Sequence, residues 1–538
     1  MPTAQDLLGQ PHISRRAHWN SHLERHAAAL PEHAALRFEG ATTTWSQLRE
    51  RVHALADALA RREIGFGDRV AVLMGNRPEF METVLAVNKL GAIAVPLNFR
   101  LAGPEAAYIL NDCGARIVLA DELGVPVVAA ARPSLTGEPA IVITHAPEGR
   151  GGDPGLPAFE RYDDLLAESG EPHRQVDVPE ESPALIMYTS GTTGRPKGAV
   201  LSHVNLQSQA FTIIHAFKLG GEEEVNLVAT PLFHIGGIGS VIPTILVGGT
   251  TVIMPTRTFS SAGFLGLLED EAVTNVFLVP TQWQAVCEDP TVGKRDLSRL
   301  RVTVWGAAPA SDTLLRKMAA IFPGALNIAV FGQTEMSPVT CVLAGAHARR
   351  KLGSVGKPVP TVAARVVDAG MNDVAPGQVG EIVYRGSGLM LGYWNNPEAT
   401  GESFRGGWFH SGDLVRVDDE GYVYVVDRVK DMIISGGENI YCAEVENALA
   451  GYPDVAEVSV VAAPDPRWGQ TPVAFVVLRD PDASLGIEQL RAWAATSIAK
   501  YKLPTRLRLV AALPRNASGK VRKDVLRNDV LGNEAVGA

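Results

Sequence analysis

Between residues 48 and 97 the apolar pattern changes period repeatedly, and this alternation constrains the fold more than any other feature. Leu48, Val52, Leu55 and Leu59 share one helix face by their spacing. The turn Gly65-Phe66-Gly67-Asp68 follows, then the unbroken apolar run Val70 to Met74. A second helical pattern carries Phe80, Val84 and Val87, and Ala92 to Leu97 is another run suited to a buried strand. Strand and helix repeating in this order predict an α/β chain: mostly parallel sheets with helices on both faces. A length of 538 residues is too great for one core, so two or more domains are expected.

The best boundary is Asp427-Arg428-Val429-Lys430-Asp431, where charges separate strand-like Tyr422 to Val426 from Met432 to Ile434. About 110 residues lie beyond it, enough for a small α+β domain. There Val458 to Ala462 and Val473 to Leu478 read as strands, while Leu490, Trp493, Ala494 and Ile498 share a helix face. Residues 146–158, rich in Gly and Pro, read as a surface loop.

Hydrophobic content of 46% and charged content of 20% are those of a soluble globular protein. A net charge of −10 argues against nucleic acid or an anionic membrane as the main partner. The four cysteines (Cys113, Cys287, Cys341 and Cys442) are scattered, which suits free thiols in a reducing cytoplasm. Residues 1–16 carry no apolar core of signal-peptide type, and no run of about 18 apolar residues exists to span a membrane.

Chemistry concentrates first in Tyr188-Thr189-Ser190-Gly191-Thr192-Thr193-Gly194-Arg195-Pro196-Lys197-Gly198. The apolar run Ala184 to Met187 leads into it as a buried strand. The glycines let backbone N–H groups converge on one anion, the hydroxyls add donors, and Lys197 adds a full charge. That is what a triphosphate needs, although the spacing is not that of a Walker A loop. A flexible surface loop has the same composition.

Three further segments join it. Phe331-Gly332-Gln333-Thr334-Glu335 follows the strand-like Asn327 to Val330. An aromatic there can lie flat on a purine, and a carboxylate can hold magnesium. The same pair also reads as a core aromatic followed by an exposed glutamate. Trp408-Phe409-His410-Ser411-Gly412-Asp413 places Asp413 after a glycine turn, where it can accept both ribose hydroxyls; a plain turn is the alternative. Arg428 can add a donor or make a surface ion pair. Pro514-Arg515-Asn516-Ala517-Ser518-Gly519-Lys520 presents one lysine on a glycine hinge, in isolation a solvated charge.

Together these segments resemble the adenylate-forming superfamily of acyl-CoA synthetases, peptide-synthetase adenylation domains and luciferases. The resemblance runs from Thr44-Trp45 to Lys520, in family order and at family-like spacing. The segments Phe331 to Pro338 and Ser435-Gly436-Gly437-Glu438-Asn439-Ile440-Tyr441 are most like actinobacterial fatty-acyl-CoA synthetases. The resemblance implies a large N-terminal domain, residues 1–429, of parallel sheets and a β-subdomain. It implies a small mobile C-terminal domain, residues 430–538, hinged near Lys430.

By position, Thr189, Ser190, Gly191, Thr192, Thr193, Gly194 and Lys197 would hold the ATP β- and γ-phosphates. Phe331 and Gly332 would face adenine, Thr334 the α-phosphate, and Glu335 would bind magnesium. Asp413 and Arg428 would hold the ribose. Lys520 would bridge the substrate carboxylate and the α-phosphate. Gly437, with Ser435 and Gly436, would line the pantetheine tunnel gated by His234, a residue that in isolation reads as a packed core histidine. Tyr501 could stack on the CoA adenine. Gly306, Ala307, Ala308, Pro309, Gly236 and Gly237 place small, uncharged residues where the family lines its nucleotide and acyl sites.

The implied reaction joins a lipophilic acid (fatty, aryl or polycyclic) to coenzyme A through acyl-AMP, with ATP and magnesium. The pair by which amino-acid-activating relatives anchor an α-amino group is missing after Phe233. Ser411, Cys442 and Gln470 stand where Thr, Pro and Glu are frequent, and Leu503 and Thr505 where some relatives carry basic CoA contacts. The open alternatives are a carrier-protein loader, a one-half-reaction specialist and a non-catalytic binder. A homodimer is common among such relatives.

Overall fold

The computed structural model describes residues 18–144, 159–168, 170, 176–189, 195–308, 310–436, 438–515 and 521–534. The loop expected at 146–158 lies outside them. The chain divides into two compact units, residues 1–363 with 385–405, and residues 364–384 with 406–538.

The first unit holds two sheets among the described residues. One has nine strands, and six neighbours in it run parallel: Leu326–Gly332, Val302–Gly306, Asn275–Leu278, Val225–Val228, Thr250–Ile253 and Ala34–Phe38. Antiparallel strands close both edges. The other has eight strands, with Pro183–Thr189, Ile93–Pro96, Arg69–Leu73, Ile117–Ala120, Ala140–Ile143 and Glu160–Arg161 parallel. Lys197–Ser202 and Gly392–Tyr393 add an antiparallel edge.

Local sequence explains these elements. Helix Trp45–Arg61 starts at a reciprocal cap, Thr44 accepting from the Gln47 N–H and Gln47 from the Thr44 N–H. Its predicted face, Leu48, Val52, Leu55 and Leu59, is buried. Helix Pro78–Lys89 touches strands of both sheets and is buried along Glu79 to Asn88, all round rather than on one stripe. Its buried Glu82 and Asn88 are satisfied by distant partners, while the buried Thr83 hydroxyl has no hydrogen-bond partner among the described residues. Arg51 donates to Glu82 through Nε at 2.7 Å and a terminal nitrogen at 3.0 Å, and the Tyr162 hydroxyl donates at 2.7 Å. Asn88 accepts from the Trp19 indole at 3.1 Å and donates to the Ala184 carbonyl at 2.8 Å.

In the second unit, Val362–Val367, Val379–Gly386, Phe409–Val417 and Val423–Arg428 form a four-stranded sheet. A five-stranded sheet follows, centred on Val455–Asp465 and Gly469–Leu478. The charged stretch 427–431 is stitched within this unit. Asp427 accepts from the Cys442 N–H, and the Cys442 thiol donates to the Asp431 carbonyl at 3.0 Å.

The helix expected through Ile498 is shorter. It spans Ile487–Ala494, with Leu490 and Ala494 buried but Trp493 exposed by 40%. The Thr496 and Ser497 hydroxyls donate to the carbonyls of Trp493 and Ala494 and so compete with helix propagation. All four cysteines are free thiols. Among the described residues no helix is long and apolar enough to cross a membrane.

Candidate active site

Strands Pro183–Thr189 and Lys197–Ser202 pair antiparallel, with Tyr188 opposite Gly198 and Thr189 opposite Lys197. The pairing places Thr189 and Lys197 at the mouth of the hydroxyl-glycine loop. Ser190, Gly191, Thr192, Thr193 and Gly194 lie outside the described residues. Gly198 is required here, since a Cβ would lie 2.7 Å from the Ile186 side chain and 3.1 Å from the Tyr188 ring.

The Lys197 ammonium sits 5.2 Å from the centre of the Tyr393 ring. The Tyr393 hydroxyl donates to Glu335 Oε1 at 2.9 Å. Burial pushes the Tyr393 hydroxyl above its ordinary range, and the adjacent Glu335 charge pushes the same way. It therefore stays a protonated donor. Glu335 occupies a short turn, Thr334–Met336, and is 8% exposed rather than on the surface. Gln209 clamps this turn from below, donating to the Met336 and Val339 carbonyls at 2.9 and 2.7 Å.

Phe331 and Gly332 end the strand Leu326–Gly332, and Gly306 ends the neighbouring parallel strand Val302–Gly306. Both therefore lie at the carboxyl edge of the sheet, where open α/β sheets bind ligands. Phe331 is half-buried, and its carbonyl accepts from the Thr340 hydroxyl at 3.1 Å. Gly332 has no room for a side chain, because a Cβ would lie 1.8 Å from the Pro338 carbonyl oxygen. The smallness of Gly306 is used by the sheet itself, since its Cβ would stand 2.4 Å from the Val330 carbonyl oxygen. Ala307 takes the left-handed conformation at φ 64°, and Ala307 and Ala308 are exposed. Pro309 lies outside the described residues.

His234 precedes helix Ile235–Val247, its carbonyl accepting from the Gly237 and Ile238 N–H groups and its ring 4.7 Å from that of Phe233. Phe277, which sequence reasoning missed, stands 3.7 Å from the Cβ position of Gly236 and 3.4 Å from that of Gly306. Gly237 is tight against the Pro231 carbonyl, at 2.2 Å from its Cβ position. Contacts thus run from Lys197 through Tyr393 to Glu335, and Phe277 bridges Gly306 and Gly236. Tyr393 was also missed. A two-residue strand, Gly392–Tyr393, has no period to read, and only a hydroxyl-bearing aromatic after glycine hinted at it.

The second unit carries its own candidates. Asp413 and Arg428 pair across adjacent strands, Arg428 Nε lying 2.6 Å from the buried Asp413 carboxylate. The Ser411 hydroxyl accepts from the Asp413 N–H at 3.0 Å and donates to the Ile382 carbonyl at 2.5 Å, so serine does this work without a methyl group. Glu381 holds the turn, accepting from the Gly412 N–H and lying 2.8 Å from His410 Nδ1. Lys430 is exposed. Ser435 is half-buried, and Gly436 lies under the Trp468 ring at φ 59°. Tyr501 is 47% exposed, with the Lys502 ammonium 5.6 Å from its ring centre. Gly437 and Lys520 lie outside the described residues.

The sequence profile of the AMP-binding enzymes matches residues 23–394, and that of the AMP-binding enzyme C-terminal domain matches residues 444–520. The chain belongs to the AMP-binding enzymes. It is 41% identical to a feruloyl-CoA synthase of an Amycolatopsis species over 94% of this chain and 97% of that protein. It is 38% identical to an indoleacetate–CoA ligase of Aromatoleum aromaticum, over 94% and 96%. The solved o-succinylbenzoate CoA synthetase of Bacillus subtilis, in complex with its acyl-adenylate intermediate, superposes with a TM-score of 0.83 at 31% identity, covering 96% of this chain and 98% of that one. This AMP-binding enzyme is an ATP-dependent acid–thiol ligase, which activates a carboxylic acid as acyl-AMP and transfers it to coenzyme A.

Proposed function

We propose that the acid is a lipophilic, aryl-bearing carboxylic acid and that the residues named above act in two half-reactions on either side of a domain rotation. The observation that carries the reading is the Lys197–Tyr393–Glu335 contact, which joins the phosphate-loop lysine to a buried carboxylate. A packed surface loop has no need of that junction. The relatives named for feruloyl and indoleacetyl acids support the aryl preference, and so does the Phe277 ring beside Gly236 and Gly306. A flat wall of this kind suits a ring better than a flexible chain.

Glu335 fits magnesium. That ion takes one or two protein carboxylates and fills its shell with water and phosphate oxygens. The described residues hold no cluster of three or more His, Cys, Asp and Glu side chains arranged for a metal. When bound, magnesium would neutralise charge on the phosphates.

In the first half-reaction a carboxylate oxygen attacks the α-phosphorus and the bond to pyrophosphate breaks. Lys197 and the loop hydroxyls hold the phosphates, Phe331 stacks on adenine, Asp413 and Arg428 hold the ribose, and Thr334 contacts the α-phosphate. Lys520 offsets the charge shared by the two reacting anions. In the second half-reaction the CoA thiol adds to the acyl carbon and AMP leaves. Rotation about Lys430, between residues 1–429 and 430–538, withdraws Lys520 and brings Ser435, Gly436 and Gly437 beside a tunnel gated by His234. Tyr501 then stacks on the CoA adenine.

Separate assays of the half-reactions test this. Lys520→Ala should abolish acid-dependent pyrophosphate release yet keep thioester formation from supplied acyl-AMP, and Gly437→Leu should do the reverse. Equal loss of both activities in either variant would refute the division of labour. Pyrophosphate release without CoA thioester in the unaltered enzyme would point to a carrier protein as acceptor.

A further inference from the structure

Tyr393 is fixed on both sides of its ring. Its backbone pairs with Ala199, two residues beyond Lys197, and its N–H donates to the Thr400 hydroxyl at 2.9 Å. The Trp394 N–H donates to the Gly198 carbonyl at 2.7 Å, so the ring cannot drift from the Lys197 strand. Glu335 is equally held through its backbone, its carbonyl accepting from the Met390 N–H at 2.8 Å. What remains free in Glu335 is the side chain. The hydroxyl contact to Oε1 removes that freedom and leaves the other lone pairs of the carboxylate available.

The geometry points to Tyr393 as a positioning residue for acid activation: its hydroxyl fixes the Glu335 carboxylate in the rotamer that receives magnesium, and its ring steadies the Lys197 ammonium on the same platform. The inference rests on the reading of Glu335 as the magnesium ligand and Lys197 as a phosphate ligand. It adds that one tyrosine sets both, so the gain in ATP affinity conferred by magnesium depends on a group that touches neither.

Calorimetric titration of ATP into the full-length protein, once with magnesium and once with EDTA, gives the ratio of the two Kd values. Tyr393→Phe keeps the ring and removes the hydroxyl. It should cut the magnesium advantage by about tenfold or more, the weight of one hydrogen bond to a charged group, and leave the Kd in EDTA unchanged. Tyr393→Leu removes the ring as well and should also weaken binding in EDTA. Glu335→Gln should bring the ratio close to one. A ratio for Tyr393→Phe within about twofold of the unaltered protein, with Glu335→Gln collapsed, would overturn the role of Tyr393 alone. An unchanged ratio in Glu335→Gln would overturn the metal reading and this inference with it. A lowered melting temperature for Tyr393→Phe with the ratio intact would assign the hydroxyl to stability only.

Discussion

Replacing Gly332 by alanine is the most direct way to disturb the nucleotide edge without touching a charged group. A Cβ there would lie 1.8 Å from the Pro338 carbonyl oxygen, 2.8 Å from its carbon and 3.0 Å from the Thr340 nitrogen. All three are backbone atoms, so no side chain can swing aside. Relief to an ordinary contact requires the two segments to part by roughly 1.6 Å. That breaks the 2.9 Å hydrogen bond from the Gln333 N–H to the Pro338 carbonyl. Losing one hydrogen bond and leaving its half-buried partners unmet costs roughly 2–4 kcal/mol, equivalent to a fall in Tm of roughly 2–4 °C for a chain of 538 residues. The displacement falls between Phe331 and Glu335, so ATP affinity should drop about tenfold or more. Gly293→Ala is the control, since a Cβ there meets nothing within 4 Å. Differential scanning calorimetry and ATP titration read both effects. If Gly332→Ala melts with the unaltered protein and binds ATP equally well, the steric argument is wrong.

Two further predictions follow from the electrostatics. Asp413→Asn should weaken ATP binding and erase the preference for ATP over 2′-deoxy-ATP; a preference retained at full size would remove Asp413 from the ribose. His203 is fully buried, and burial, with a smaller push from His18, lowers its pKa from 6.5 to about 3. The unfolded chain therefore takes up a proton near pH 6.5 that the folded chain refuses, so stability is full above that pH and is lost as pH falls. Between pH 6.5 and 4.5 His203 should contribute a slope of about 1.4 kcal/mol per pH unit. His203→Leu should flatten the urea-midpoint profile by one proton, and an unchanged profile would refute the assignment.

Much of the fold was legible because its strands are continuous apolar runs bounded by turns. Val70 to Met74, Ala92 to Leu97 and Ala184 to Met187 fall on or within a residue of strands Arg69–Leu73, Ile93–Pro96 and Pro183–Thr189. Helix Pro78–Lys89 was legible by its Phe80, Val84 and Val87 stripe, but not the burial of Glu82 and Asn88, which depends on Arg51, Tyr162 and Trp19 from distant segments. The site was legible where chemistry is local, as in the run from Phe331 to Glu335. It was not legible where long-range contacts make it. Tyr393 lies 58 residues from Glu335, and Gln209 lies 127 from Met336. A signal for Gln209 existed in the sequence, a polar residue on the apolar face of Leu206, Ala210 and Ile213. The small residues were read as open walls. Gly306 and Gly237 of that set also stand close against backbone, and Phe277 stands beside Gly236. The fatty-acyl likeness of the Phe331–Pro338 and Ser435–Tyr441 segments and whole-chain similarity to aryl-acid ligases point to the same family without fixing one acid.

The central claim is most directly tested by incubating the protein with ATP, magnesium, CoA and ferulic acid, with indoleacetic and long-chain fatty acids in parallel, and quantifying every product by mass spectrometry. The account predicts acyl-CoA, AMP and pyrophosphate in equal amounts, with an aryl acid giving the highest kcat/KM. ADP and phosphate as products, or acyl-AMP accumulating without thioester in the presence of CoA, would contradict it.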